Sequence, residues 1–122
     1  MSARTNALVQ TLDRLAVALA DPESAISRDA AIQRFEFSFE LAWRAIQERA
    51  RDQGLDCRSP KGCLKLAFKT GWVESEPEWL SMLEDRNRTS HTYNEALARD
   101  VFSRLAAHLS VLRRLAATLA TE

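Results

Sequence analysis

Residues able to catalyse a reaction are concentrated in one stretch of the chain, between Asp85 and Glu95. The stretch contains an arginine, one of the two histidines and the single tyrosine, with the spacing Arg86-x4-His91-x-Tyr93. An imidazole accepts and donates protons near neutral pH, and a guanidinium stabilises the charge that develops on a phosphate. These two groups can together cleave RNA without a metal ion, using the 2′-hydroxyl as nucleophile and leaving a 2′,3′-cyclic phosphate.

The helix that leads into this stretch places Arg86 on its apolar side. Trp79, Met82 and Leu83 have helical spacing, and Arg86 follows Leu83 by three residues and Trp79 by seven. A guanidinium in that position requires a carboxylate, a carbonyl or an anionic ligand. Five residues of continuous helix would separate Arg86 from His91 by about 140°. A break after Arg86, or a second subunit, must therefore bring the two side chains together.

Several residues after Arg86 favour turns and helix caps, namely Asn87, Thr89, Ser90 and Asn94. They predict that the first helix ends here. Thr92-x-x-Glu95 matches a capping box and predicts that a new helix begins at Thr92. His91 would then lie just outside a helix N terminus and Tyr93 in its first turn, where free amides favour an anion.

The segment from Leu83 to Tyr93 resembles the motif of the HEPN superfamily, specifically its HepT-like branch of nucleotidyltransferase substrate-binding proteins. The aromatic segment from Ile32 to Trp43 resembles the same branch, so the similarity extends over most of the chain from about Ser27 onward. An Arg-x4-His spacing alone occurs often by chance. The asparagine that follows the arginine and the tyrosine two residues after the histidine make the pattern more specific.

The resemblance implies a metal-independent endoribonuclease without cofactors, in which Arg86 and His91 are catalytic and the motif acts in pairs across a homodimer. The supporting residues of the motif would be Asn87, Ser90 and Thr92. It also implies a toxin–antitoxin pair, in which a minimal nucleotidyltransferase partner silences the ribonuclease by adenylylating Tyr93. RNA is the expected substrate, and neither DNA nor a membrane is an expected partner.

Two other interpretations remain open. The chain could be a non-catalytic subunit that binds the substrate or nucleotide for a two-component nucleotidyltransferase; it lacks the Gly-Ser and paired-Asp elements of such an enzyme, so that activity would come from its partner. Alternatively, the motif is purely structural. Arg86 would then pair with Glu84, Asp85 or another subunit, His91 would cap a helix, and Tyr93 would pack with its hydroxyl bonded to the backbone.

The composition predicts one all-α domain that spans residues 1–122. Three glycines, three prolines and 46% hydrophobic residues are typical of a compact protein with few loops. The 17 basic and 17 acidic residues balance, so any RNA contact must be local. The first twenty residues lack the pattern of a signal peptide or membrane span, which predicts a cytoplasmic protein.

Apolar periodicity predicts a five-helix, up-and-down antiparallel bundle. The expected helices cover residues 3–20, 27–53 with Gly54 as a left-handed cap, 60–70, 76–86 and 92–120. The second helix carries an apolar stripe and, in addition, Phe37 and Leu41. Its second apolar face belongs either to the core or to a dimer interface.

Four further features have less specific interpretations. Cys57 and Cys63 match no standard zinc or redox spacing, and we interpret them as ordinary small residues rather than as a disulfide or metal site.

In the third helix Phe68 is expected to face inward with Leu64 and Ala67. Its lysines, Lys61, Lys65 and Lys69, form either a solvated face or a contact for RNA phosphates. His108 lies among leucines and is interpreted as a core or interface residue rather than a catalytic one.

Overall fold

The computed structural model describes residues 2–121, and within that range every regular element is helical. The elements are α1 Ala3–Ala20, α2 Ala25–Asp52, α3 Pro60–Thr70, α4 Glu76–Arg88, a 3-10 turn Thr89–His91, α5 Glu95–Phe102 and α6 Leu105–Ala120. The predicted all-α class is therefore confirmed. The bounds of the first four helices agree with the expected ones to within two residues.

The longest helix, α2, is central and contacts all the other helices. Its predicted stripe is buried throughout and consists of Ile32, Phe35, Phe39, Trp43, Ile46 and Ala50. Gly54 ends the helix with a φ of 74°, and its amide donates to the Arg51 carbonyl at 3.0 Å. The Leu55 amide donates to the Ala50 carbonyl at 2.8 Å. These two bonds form a Schellman cap, which confirms the predicted role of the glycine.

The prediction of five helices is wrong, because the expected fifth helix is two helices in the structure. It begins at Glu95 rather than Thr92 and is interrupted at Ser103 and Arg104. The Ser103 hydroxyl donates to the Asp100 carbonyl at 2.6 Å, a local bond that competes with the regular helical pattern. Val101 and Leu105 are both buried on either side of the break, so the apolar periodicity continues across it and conceals it.

The interpretation of the two cysteines as ordinary small residues is also wrong. Cys57 and Cys63 form a disulfide, with their Cα atoms 5.1 Å apart. Cys57 lies in the loop after α2, and Cys63 lies in the first turn of α3. The N-terminal cap of α3, Ser59, turns the chain back between them, and its hydroxyl accepts from the Gly62 amide at 3.0 Å. This turn brings together two cysteines whose spacing matches no standard motif.

Phe68 does not face the core as expected, and 45% of its surface is exposed. The inward side of α3 carries Cys63, Leu64 and Ala67, and Phe68 is turned about 100° away from Ala67. The three lysines of α3 are all exposed, as a solvated face requires. Among residues 2–121 no helix has both the length and the apolar character needed to span a membrane.

Candidate functional site

The C-terminal turn of α4 carries the motif. The Thr89 amide donates to the carbonyls of Asp85 and Arg86, and the Thr89 hydroxyl donates to the Arg86 carbonyl at 2.6 Å. The chain then continues as the 3-10 turn that ends at His91. The predicted break between Arg86 and His91 is thus present, two residues beyond Arg86.

The predicted capping box at Thr92 is wrong. Thr92 has φ −77° and ψ 5°, whereas a helix N-cap normally has an extended backbone. Its hydroxyl donates backward to the Thr89 carbonyl at 3.0 Å. Asn94 is the actual cap of α5, since its side-chain oxygen accepts from the Leu97 amide at 3.0 Å. Tyr93 consequently lies in the turn before α5 and not in the first turn of a helix.

Arg86 is held against α2 rather than against its own helix. Its Nη2 lies 3.5 Å from Glu40 Oε2, and the two side chains are 39% and 42% exposed. Glu40 also accepts from Trp43 Nε1 at 2.9 Å and from Arg44 Nε at 3.4 Å. The arginine therefore has a carboxylate partner, as its position requires, but the partner is neither Glu84 nor Asp85.

His91 and Tyr93 are both exposed, and their rings meet edge to face with centroids 6.2 Å apart. Tyr93 is 87% exposed, so it does not pack as the structural interpretation expected. Within residues 2–121 the His91 imidazole makes no hydrogen bond or ion pair, and the cap of α5 is Asn94 rather than His91. An imidazole in this position is accessible to a ligand.

The three residues expected to support the motif all lie at the turn. Asn87 and Ser90 are exposed, and Thr92 is partly buried. The Ser90 hydroxyl donates to the Asn87 carbonyl at 3.3 Å, as Thr92 does to Thr89. Ser90 and Thr92 thus fix the path of the backbone between Arg86 and Tyr93.

Asp85 is a site residue that the sequence analysis missed. Its side chain is fully buried and accepts from Arg104 Nε and Nη2, each at 2.8 Å, and from Arg88 Nη1 at 2.9 Å. Its Oδ2 also lies 2.7 Å from His108 Nε2. Burial raises the pKa of Asp85, but the hydrogen bonds from Arg104, His108 and Arg88 outweigh it and lower the pKa to about 2. The spacing of three residues from Met82 could have placed Asp85 on the buried stripe of α4.

His108 is a satisfied core residue, as predicted. Its side chain is buried on α6, bonds to Asp85 and stacks on the Phe35 ring of α2 with centroids 5.2 Å apart. His108 therefore belongs to the support of the site rather than to its exposed surface. In the part of the chain that the structure describes, no cluster of His, Cys, Asp or Glu has the composition of a metal site.

Comparisons with known proteins agree with the resemblance noted in residues 32–43 and 83–93. A curated protein of Haemophilus influenzae named "Probable ribonuclease HepT" is 28% identical over 80 residues, which cover 62% of this chain and 55% of that protein. The chain thus spans little more than half of that relative's length.

Two solved structures are similar over nearly the whole chain. A crystal structure of a Thermus thermophilus protein is 39% identical, with a TM-score of 0.86 over 92% of this chain and 98% of that one. A solved structure of a Haemophilus influenzae protein, described as revealing the fold of a substrate-binding domain of a nucleotidyltransferase, is 23% identical, with a TM-score of 0.80 over 95% of this chain and 96% of that one. That second likeness establishes the fold alone.

A family model described as "Nucleotidyltransferase substrate binding protein like" matches residues 2–121. The match includes the aromatic helix α2, the break after α4, the half-buried Arg86 and the exposed His91 and Tyr93. The chain therefore belongs to the nucleotidyltransferase substrate-binding protein family.

Proposed function

We propose that this protein is a metal-independent endoribonuclease of a toxin–antitoxin pair, silenced by a minimal nucleotidyltransferase partner. The observation that carries the proposal is the exposed His91 imidazole beside Tyr93, on the turn that directly follows Arg86. The similarity to a protein named as a HepT ribonuclease supports it. Arg86 and His91 are the catalytic residues, and Asn87, Ser90 and Thr92 shape the turn.

The reaction is an internal transfer at phosphorus. The RNA 2′-oxygen attacks the adjacent phosphorus and loses its proton to an imidazole, while the bond from phosphorus to the 5′-oxygen breaks and that oxygen is protonated. The products are a 2′,3′-cyclic phosphate and a free 5′-hydroxyl. Arg86 stabilises the extra negative charge on the phosphoryl oxygens. One His91 accepts the first proton, and the His91 of a second subunit donates the other.

Glu40 holds Arg86 but leaves it able to bind an RNA phosphate. The contact of 3.5 Å joins two side chains that are each more than one third exposed, and such pairs contribute at most about 1 kcal/mol. An RNA phosphate in the site can therefore replace the Glu40 carboxylate as the partner of Arg86. Before RNA binds, the Glu40 carboxylate is the partner of Arg86.

The outward face of α2 supports a homodimer that joins two motifs. Asp29, Gln33 and Glu36 on this face line a shallow surface depression together with Thr92 of the motif turn. Phe37 lies one helical turn beyond Gln33 and is 45% exposed. Two copies that meet across this face would bury Phe37 and place both motifs beside one cleft. Of the second apolar face noted in the sequence, Leu41 packs against the core, so Phe37 is the residue that would belong to the interface.

Adenylylation of Tyr93 is the proposed means by which the partner silences the ribonuclease. Its hydroxyl oxygen attacks the α-phosphorus of ATP in the partner's active site, pyrophosphate leaves, and the phenolic proton passes to a base of the partner. The 87% exposure of Tyr93 leaves the hydroxyl open to a second protein. The attached AMP places a phosphate next to His91, where it competes with RNA for Arg86 both sterically and electrostatically.

A second candidate is a non-catalytic subunit that binds the substrate of a nucleotidyltransferase. The name of the family to which the chain belongs favours it. In that case the exposed surface around Arg86 and His91 binds the substrate, and the partner performs all of the chemistry.

Cleavage of RNA by the purified chain in EDTA decides between the two candidates. The protein is expressed without a nucleotidyltransferase, and its intact mass is checked to be unmodified. We expect cyclic-phosphate ends from the wild type, none from His91→Ala, and at least about 100-fold slower cleavage by Arg86→Ala. Arg99→Ala is the control, because Arg99 is an exposed arginine that pairs with Glu95 outside the motif. Equal cleavage by wild type and His91→Ala contradicts the catalytic role, and no cleavage of any RNA favours the binding subunit.

A further inference from the structure

The segment that contains the motif begins and ends at one ion pair, whose carboxylate is fully buried. Asp85 immediately precedes Arg86, and Arg104 follows the end of α5. Their side chains are joined by two hydrogen bonds of 2.8 Å, although they lie 19 positions apart in the chain. The 3-10 turn, Tyr93 and all of α5 lie between these two residues. The ion pair therefore joins the two ends of this segment.

Asp85 makes two further side-chain contacts at the last turn of α4. Arg88, three residues later on the same helix, donates to Oδ1 at 2.9 Å, and His108 of α6 contacts Oδ2 at 2.7 Å. The Asp85 carbonyl accepts from the Thr89 amide, where the 3-10 turn starts. Asp85 thus anchors the turn to the core through its side chain and also accepts a hydrogen bond from the turn through its carbonyl.

Such an arrangement is a costly way to gain stability. Moving the Asp85 carboxylate out of water is unfavourable, and apolar replacements of buried ionic groups are often equally stable or more stable. What a bidentate contact provides is direction, because Arg104 Nε and Nη2 donate to the two carboxylate oxygens in one plane. The carboxylate also has His108 and Arg88 as partners, so it has little freedom to rotate.

We infer that Asp85 and Arg104 are positioning residues for the motif: their pairing sets the direction of Arg86 and of the turn that carries His91 and Tyr93. The effect on catalysis rests on the proposed ribonuclease function, but the effect on geometry does not. Asp85 is fully buried and therefore does not touch RNA, and the guanidinium of Arg104 is already held by Asp85 and Asp100. Both act through the backbone between them.

The test compares two site variants with a core variant that is expected to destabilise the bundle away from the motif. Asp85→Asn removes the charge, and Arg104→Lys keeps the charge but removes the fork. Leu12→Ala is the control, because Leu12 is fully buried on α1, and α1 packs on α2 and α6. All measurements are made well below the melting temperature of each protein. If Asp85→Asn fails to fold, Arg104→Lys, at a partly exposed position, carries the comparison.

Two readouts separate positioning from stability. We expect kcat for RNA cleavage to fall by about tenfold or more in the site variants, with KM changed by less than about threefold, because a misplaced catalytic group affects the chemical step. We expect the NMR signals of the His91 and Tyr93 rings to move and the contact between the rings to weaken. In Leu12→Ala kcat and both ring signals should stay close to wild type.

The kcat values and the ring signals decide whether Asp85 and Arg104 position the motif. Wild-type kcat in the site variants, or an equal loss in Leu12→Ala, would overturn the inference. If the wild type cleaves no RNA, the proposed function fails while the ring signals still decide the positioning role. If the His91 and Tyr93 ring signals move in Arg104→Lys but not in Leu12→Ala, the positioning role is supported. If the ring signals of the two variants are identical, the positioning role is refuted.

Discussion

Asp85 Oδ2 lies 2.7 Å from His108 Nε2, so the last turn of α4 is bonded to α6 directly beneath the exposed motif. The His108 ring also stacks on Phe35, which adds α2 to the same junction. The bundle thus has a polar centre on one side of an otherwise apolar core. Because a buried carboxylate requires compensation by nearby donors, the positions of three helices depend on one another at this point.

Asp85 should make the protein sensitive to acid. Hydrogen bonds to Arg104, His108 and Arg88 hold the pKa of Asp85 at about 2 in the folded protein, below the ordinary 3.8. Because the unfolded chain binds the proton first, the stabilisation is present above pH 3.8 and is lost as the pH falls through about 2. The difference corresponds to on the order of 2 kcal/mol in the free energy of unfolding.

Urea unfolding of wild type and Asp85→Asn between about pH 7 and pH 2 measures this contribution. The free energy of unfolding of the wild type should fall more steeply with acid than that of the variant. The subtraction removes the effect of carboxylates that are distant from Asp85. Asp100 is not among them, because its pKa is lowered by hydrogen bonds to Arg104, which Asp85 also binds. Parallel curves for the two proteins would show that Asp85 does not titrate as described.

Phe37→Glu should weaken the proposed homodimer. A carboxylate buried at this contact loses its hydration and adds to the negative charge of Asp29 and Glu36 on the same face, which disfavours association. Phe68→Glu is the matched control, because Phe68 on α3 is exposed to the same extent, 45%, but lies on a different helix. Light scattering at micromolar concentration should give a dimer for wild type and Phe68→Glu and a monomer for Phe37→Glu. A monomeric wild type would exclude a composite site built from two motifs.

Tyr93→Phe should abolish modification by the partner and leave RNA cleavage largely intact. The substitution removes the acceptor hydroxyl and retains the ring that meets His91. After incubation with the cognate nucleotidyltransferase, ATP and Mg²⁺, intact mass spectrometry should detect an adenylyl group on the wild type and none on the variant. Ser90→Ala, which removes a neighbouring hydroxyl, should still be modified. An adduct that persists in Tyr93→Phe would place the modification elsewhere.

The sequence predicts this fold well wherever apolar spacing and local caps determine the structure. The buried stripe of α2 and the cap at Gly54 are both present as expected. The break between α5 and α6 was missed because Val101 and Leu105 remain buried across it. At the start of α5, Thr92 and Asn94 are both capable caps, and only the path of the 3-10 turn decides in favour of Asn94.

For the site, the sequence identifies exposed groups better than buried ones. His91 and Tyr93 are accessible, as a functional interpretation requires. Asp85 was overlooked because its partners Arg104 and His108 are distant in the chain, and no local pattern reveals them. The partner of Arg86, Glu40 on α2, is a tertiary contact of the same kind.

Glu40→Gln should strengthen RNA binding and lower KM. The change removes the negative charge 3.5 Å from Arg86, so a phosphate no longer has to displace a carboxylate. The amide oxygen can still accept from Trp43, and we therefore expect stability to change by less than about 1 kcal/mol. The fall in KM should be about two- to fivefold at low salt and smaller at high salt, because charge interactions at an exposed site are screened.

Glu48→Gln is a matched control for this change. Glu48 lies on the same helix, about 12 Å further along its axis, and contacts Arg4 at 3.5 Å with side-chain exposures of 41% and 37% for Arg4 and Glu48. Both variants alter the net charge equally, but only Glu40→Gln frees an arginine of the motif. Steady-state cleavage of a short RNA at two salt concentrations gives KM for each protein. An equal change in both variants would indicate a general charge effect, and an unchanged or higher KM in Glu40→Gln would show that Arg86 does not contact the RNA phosphate.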